Sequence, residues 1–363
     1  MIVDLDSHLR EGYFLDEVYR LNGPYAKYTP VRVTGGLDHE THFVHSLEVR
    51  DARARTIFHH PYMYDPKYNP DVAERQIGGY DMDRRLLDIR KEGIHQQVIF
   101  PTGISIPTLN TGGLGLALSR AYNDWVAGLV KGHDETFLPV AMAPAGCPDE
   151  MAGELRRCVK ALGMKAGHLV PYCGPRNLDD PVFYPYYETA QELGVPLFCH
   201  PNSNGELTDR FDTFFKLHVL GRPMNCTPAL VALVLGGVFE KFPRLKVAFF
   251  ECSAEWILYW MHRMDDDYEW ARELPALTGA ESIKMPPSEY VKRNCYVTCE
   301  ADEKRLPAAI EEIGADHICL ATDYPHFDSR YPHTVSEIRR RTDLTDRQKE
   351  LILGQSAAGL LNL

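Results

Sequence analysis

The chain has 363 residues, 44% hydrophobic and 25% charged, with a formal net charge of −12. That composition belongs to a globular protein long enough for one large α/β barrel or two medium domains. The acidic balance argues against nucleic acid or an anionic membrane surface as partner, and no apolar run approaches the roughly 20 residues of a membrane span.

The N-terminus lacks a basic region followed by an apolar one, so no secretory signal is expected. Nine scattered cysteines without a Cys-x-x-Cys pair predict a reducing, cytoplasmic setting with no disulfides. Cys295 and Cys299 share one face of a predicted strand and read as core residues.

The first strand is Ile2, Val3 and Leu5, running straight into Asp6, His8 and Glu11. Along extended chain Asp6 and His8 fall on one side, a carboxylate–imidazole pair suited to a divalent ion. The plainer alternative is that Asp6 and Ser7 cap a turn. A long irregular stretch to about Tyr80 follows, rich in Tyr, Pro, Asp and His. It reads as an excursion over an active-site mouth, with His59 and His60 either touching substrate or packing.

A regular rhythm then begins. Met82, Leu86, Leu87 and Ile89 recur at helical spacing over Asp81–Glu92, with Asp81 or Asp83 as N-cap and Gly93 as the stop. A strand over Gln97–Pro101 and a helix over Leu116–Val130 come next. Gly112, Gly113 and Gly115 between them make no phosphate-binding fingerprint, because no strand directly precedes them and the Lys-Ser/Thr tail is missing. Further strands are predicted over Phe137–Met142, Met164–Leu169, Val195–Cys199, Leu245–Phe250, Asn294–Cys299 and His317–Ala321. Helices are predicted over Pro148–Leu162, Asp180–Leu193, Pro228–Glu240, Ala254–Asp265, Leu306–Ile313 and a helical tail over Thr334–Leu361.

Eight short, continuously apolar strands alternating with helices are the pattern of a parallel sheet covered on both faces. In this length they point to a single (β/α)8 TIM barrel over 1–363, with excursions at about 12–80, 202–226 and 268–290 over the mouth. A doubly wound open sheet is the competing fold, but Asp6-Ser7-His8 is not its glycine-rich nucleotide turn.

A barrel gathers the C-terminal ends of its strands at one mouth. The polar residues there are Asp6, His8, Glu11, His200, Glu251, Asp323 and His326. Four carboxylates around one cavity repel one another unless a cation is present, which makes these seven the candidate metal set. Glu251, Asp323 and His326 are the candidate catalytic groups. His168 and the arginines Arg176 and Arg210 are candidates for substrate contact, an arginine being suited to a carboxylate. Lys165 lies near the start of its strand and is expected to pack or to point outward.

The chain resembles the amidohydrolase-related family, in the branch of aminocarboxymuconate-semialdehyde and resorcylate-type decarboxylases. The residues carrying the resemblance are Asp6-Ser7-His8, Arg85 to Asp88 with Gly93-Ile94, Phe100-Pro101-Thr102, Asp180-Pro181-Val182 with Tyr186, Val195-Pro196 to His200-Pro201, Phe242 to Val247, Glu255-Trp256 through Tyr259-Trp260 to Arg263-Met264-Asp265, and Ala321 to His326. The resemblance implies a metal held by Asp6, His8, His200 and Asp323. It also implies histidine at the sixth strand end, where this chain has Glu251, and His-x-His where it has Asp-x-His. Hydrolysis or non-oxidative decarboxylation of a small carboxylate-bearing molecule is the leading expectation. The metal is Zn, Mn or Fe, as one or two ions.

Two ions about 3.5–4 Å apart could use all seven side chains, with Glu11 and Glu251 completing the second site. An oxygen-dependent hydroxylase resembling the 2-aminoisobutyrate hydroxylase system is therefore an alternative, and an idle subunit supporting an active homologue is another. Glu251 also reads as a general base or an arginine's partner, Glu11 as a surface ion pair, and His326 as a residue orienting Asp323. The expected partners are a small-molecule substrate and a second subunit, in a homo-oligomer or with a homologous chain.

Overall fold

The computed structural model describes residues 1–10, 66–67, 69–102, 113–171, 173, 176–201 and 213–363, with the backbone of two short antiparallel strands, β3 (Val31–Val33) and β4 (His42–Val44). The first barrel position is filled by two pieces of chain, β1 (Val3–Asp4) and β2 (His8–Leu9). Both pair parallel with β5 (Gln96–Pro101). From there the ring runs through β6 (Phe137–Pro139), β7 (Gly167–Leu169), β8 (Leu197–Cys199), β9 (Val247–Phe249), β10 (Cys295–Cys299) and β11 (Ile318–Leu320).

Two seams complete the ring. A parallel bridge between Ala141 and Gly167 joins β6 to β7. Leu5 N–H donates to the Leu320 carbonyl at 2.9 Å and His8 N–H to that of Tyr324 at 2.7 Å, joining the last strand to the first. Eight parallel strand positions closed in this way are a (β/α)8 barrel.

The apolar runs split by alternation. Val3, Leu5, Val98, Phe100, Leu138, Val140, Phe198, Ala248, Phe250 and Cys319 fill the barrel interior, and Ala357, Leu360 and Leu361 of the last helix join the same cluster. Their neighbours in sequence, such as Ile99, Leu197, Val247, Phe249 and Ile318, pack outward against the helices. All nine cysteines are free, and Lys165 takes the outward one of its two expected positions, packed or outward.

The helices mostly fall where the periodicity puts them, with three informative departures. Met82–Glu92 is capped as anticipated: the Asp81 carboxylate accepts from Arg84 N–H at 2.9 Å, and Gly93 closes the helix at φ 75. Yet its buried face is Arg85, Asp88, Ile89 and Glu92, while Leu87 is exposed. Phe214–Leu235 begins far upstream of the expected Pro228 and takes Pro223 and Pro228 inside it. The C-terminal tail is not one helix. Thr334–Arg340 stands apart from a second run in which Asp346–Glu350, Leu351–Gln355 and Ser356–Leu361 follow one another with a kink at Gly354, and Thr345 opens that run with a capping box.

Candidate metal centre

The strand ends deliver six of the seven expected donors to one point. Each imidazole is aimed by a backbone carbonyl. His8 Nδ1 faces the Pro101 carbonyl at 3.2 Å, and His200 Nδ1 faces that of Pro201 at 3.1 Å. A carbonyl only accepts, so Nδ1 carries a proton in both rings and Nε2 is the nitrogen turned inward to bind a cation. His8 Nε2 lies 3.4 Å from Asp6 Oδ1 and 3.3 Å from Asp323 Oδ1, and His200 Nε2 lies 3.7 Å from Asp6 Oδ1 and 3.9 Å from Glu251 Oε1. Ligands bound at about 2.0–2.2 Å to one ion sit roughly 3–3.5 Å from each other, so these gaps suit a shared cation.

The fit is sharpest in what these atoms lack. Both Asp6 carboxylate oxygens, His8 Nε2, His200 Nε2, Asp323 Oδ1 and His326 Nδ1 are buried without a hydrogen-bond partner. Buried polar atoms left unpaired are costly, and several converging on one point fit a divalent ion held between them. Two overlapping groups meet this geometry, Asp6–His8–His200–Glu251 and His8–Glu251–Asp323–His326, with donor atoms within 4.8 Å of one another in each. His326 stacks on His8 at 4.2 Å between centroids and brings Nδ1 to 2.7 Å from Asp323 Oδ1.

Backbone strain marks the same strand ends. Glu251, Ser253 and Asp323 have φ of 55, 64 and 52, in the left-handed region that side chains other than glycine seldom adopt.

Charge divides unevenly over the set. Burial alone would raise Asp6, but the His200 and His8 imidazoles outweigh it and hold its carboxyl below the usual range. Burial and the Glu251 carboxylate push Asp323 well above its usual range. Burial opposes a charged His200, yet Glu251 and Asp6 raise it to about 9. Carboxylates this close do not all ionise together without added positive charge.

Beneath the donors lies a buried polar layer that the sequence reading missed. Asp4 accepts from Thr322 N–H at 2.9 Å, from Thr322 Oγ1 at 2.6 Å and from Gln97 Nε2 at 2.8 Å, and burial raises it to about 7. Arg85 donates to Gln97 Oε1 at 2.8 Å, Ser7 Oγ at 2.7 Å, the His8 carbonyl at 2.8 Å and the Gly78 carbonyl at 3.1 Å. This layer locks the backbone of the first strand to the last, and with it the direction of Asp6 and His8. A signal was present: Arg85 shares helical spacing with Ile89 and Glu92.

Arg222 was also missed. It reaches from Phe214–Leu235 to donate from Nε to Glu251 Oε2 at 2.7 Å. Together with His200 it keeps the Glu251 carboxyl below its ordinary value against the opposing effect of burial. Glu251 is thus both beside the donors and an arginine's partner.

Of the remaining candidates two are described. His168 is buried in β7 near His200, with its ring 6.5 Å from Phe100, and burial lowers it to about 3, so it is neutral. Arg176 is half exposed and pairs with Asp180 at 2.8 Å, away from the donors. Glu11, Arg210, His59 and His60 lie outside the described residues. An open cleft reaches the donors Asp6, Glu251 and Asp323 and is also lined by Arg222 and Asp328 among others.

Comparison with known proteins agrees with this geometry. The chain is 25% identical over 286 residues to 2-amino-3-carboxymuconate-6-semialdehyde decarboxylase of Dictyostelium discoideum, covering 78% of this chain and 77% of that one. It is 27% identical over 291 residues to gamma-resorcylate decarboxylase of a Polaromonas species, covering 77% and 87%. Its fold matches the crystal structure of a dihydroxybenzoic acid decarboxylase from Polaromonas with bound manganese and the inhibitor 2-nitroresorcinol. The TM-score is 0.70 at 21% identity, over 100% of this chain and 97% of that one. Residues 38–363 match the family described as amidohydrolase, and the chain is therefore an enzyme of the amidohydrolase superfamily.

Proposed function

We propose that this enzyme is a metal-dependent, non-oxidative decarboxylase of a small aromatic or unsaturated carboxylate, built as one barrel over 1–363. The observation that carries the reading is the convergence of unpaired Asp6, His8, His200 and Asp323 atoms beside Glu251. Those four hold the ion, and the manganese bound by the Polaromonas decarboxylase favours the same metal here. Once bound, the cation supplies Lewis acidity toward a substrate oxygen and offsets the clustered carboxylates.

The chain's own groups do the rest. Glu251 is held ionised by Arg222 and is placed to take the proton of a substrate hydroxyl. It then returns that proton to the carbon bearing the carboxylate. The bond between that carbon and the carboxyl breaks, its electron pair restores the ring, and CO2 leaves. His326 steadies Asp323, and neutral His168 faces the substrate from the fourth strand.

The relatives named above are decarboxylases, and the oxygen-dependent hydroxylase reading finds no support in them. Six converging donors also count against an idle subunit. Among the described residues no helix is long and apolar enough to cross a membrane. A cytoplasmic location belongs to the same reading, supported by nine free thiols. So does an oligomer, supported by exposed Phe215, Val219 and Leu277.

The test is manganese-loaded protein incubated with 2,6-dihydroxybenzoate and related aromatic carboxylates in deuterated water. One CO2 per substrate, with one deuterium at the vacated carbon, is expected. Glu251→Gln should keep its manganese and lose activity about 100-fold or more. Water addition without CO2 release, or full activity in Glu251→Gln, would overturn the proposal.

A further inference from the structure

Of the two expected carboxylate-binding arginines, the one that is described is not at the centre. Arg176 is on the surface paired with Asp180, and Arg210 lies outside the described residues. An anionic substrate nevertheless enters a cleft lined by six carboxylates, those of Asp6, Glu251, Glu300, Glu303, Asp323 and Asp328. Among the described residues two cationic side chains line it, Arg222 and Arg330. Arg330 is half exposed and already paired with Asp302. Arg222 is the one of the two that touches a donor, Glu251.

We propose that Arg222 selects for anionic substrates by binding a substrate carboxylate at the inner wall of the cleft. This deepens the reading of the enzyme as one acting on carboxylates, and rests on it. Three carboxylates, Asp6, Glu251 and Asp323, against one divalent ion leave a net negative charge at the centre. Arg222 cancels it. Its Nε is committed to Glu251 Oε2 at 2.7 Å, and its Nη1 faces His218 and lies 3.6 Å from Asp328 Oδ2. Among the described residues its Nη2 has no partner, so the two N–H donors of that nitrogen are left to a ligand. Glu251 Oε2 and Asp328 fix the plane of the fork, which is what directional binding of a carboxylate needs. Because the same guanidinium holds Glu251, it sets the substrate's anionic end against the group that moves the proton.

The experiment is isothermal titration of the manganese-loaded enzyme with isophthalate and with the uncharged phenol resorcinol. Arg222→Gln should weaken isophthalate roughly 10–100-fold and change resorcinol by less than about threefold. Arg222→Lys, which keeps the charge without the fork, should fall between, and Arg176→Gln should match the wild type. If Arg222 only steadied Glu251, both probes would weaken alike, and that result would overturn the proposal, as would no change in either. Should Arg222→Gln fail to retain manganese, the isophthalate-to-resorcinol ratio of Arg222→Lys decides in the same way. A wild-type enzyme that binds resorcinol but not isophthalate would refute the carboxylate reading itself.

Discussion

Replacing Asp323 by Asn separates a metal ligand from an ordinary ion-pair partner by the sign of its effect. Asn suits the left-handed backbone at this position, φ 52, so the exchange removes charge with little added strain. In metal-free protein the Asp323 and Glu251 donor oxygens lie within 4.8 Å. At that separation two like charges repel by roughly 3.5 kcal/mol at an effective dielectric of about 20. Some of this is offset by the lost approach to His8, which leaves a net gain of about 1–3 kcal/mol for the variant, or roughly 2–6 °C in melting temperature.

The gain should depend on pH. The Asp323 carboxyl is raised in the folded state, so the folded protein holds its proton more tightly than the unfolded chain. Wild-type stability from this group is fully present below about pH 4 and declines as pH rises. The advantage of Asp323→Asn in EDTA should accordingly be absent near pH 4 and grow toward pH 8. With manganese at about 1,000 times its dissociation constant the order reverses, because the wild type gains about 4.1 kcal/mol that the variant forgoes. Thermal unfolding across pH, with and without metal, reads all of this. A variant less stable than wild type in EDTA at pH 8 would show that Asp323 is a stabilising partner in its own right, and the metal argument would fail there.

Metal uptake should release protons. His200, raised to about 9, must lose its proton to bind, so manganese affinity should rise about tenfold per pH unit below pH 9; calorimetry in buffers of different ionisation enthalpy checks this, and a flat profile contradicts it. Gly78→Ala would place a methyl carbon 1.7 Å from Tyr324 Oη and should cost about 1–3 kcal/mol by urea unfolding, whereas Gly128→Ala, with nothing within 4 Å, should cost nothing. Arg85→Met strands the acceptors of Gln97, His8 and Gly78 and should cost roughly 3–6 kcal/mol in the same assay. A loss below about 1 kcal/mol would mean that water replaces the guanidinium there.

What could be read from sequence was what repeats. Continuous apolar runs ended by single polar residues located the strands, and the barrel hypothesis then gathered Asp6, His8, His200, Glu251, Asp323 and His326 without any contact being known. Polar residues inside apolar surroundings were what escaped. Asp4 lies within the first strand, where apolar patterning gives no role to an acid, yet it is fully buried and bound to Thr322 and Gln97. Met82, Leu86, Leu87 and Ile89 mark the helical spacing, but the buried face also carries Arg85 and Asp88 and leaves Leu87 exposed. Propensity assigns polar residues to water, and only tertiary partners say otherwise. Arg222 was hidden because Pro223 and Pro228 interrupt the local helix signal, and packing overrides the cost of both.

The seam between the last strand and the first has a consequence for how this centre comes into being. Thr322 Oγ1 lies 3.4 Å from the Asp6 carbonyl although 316 residues separate them, so the centre joins nearly the two ends of the chain. An emerging polypeptide carries Asp6, His8 and His200 long before Asp323 exists. Contacts of such long sequence separation form late in folding. The four donors Asp6, His8, His200 and Glu251 are made before Asp323, but the full set exists only once the last strand has closed on the first, so occupancy of the complete centre reports a finished ring.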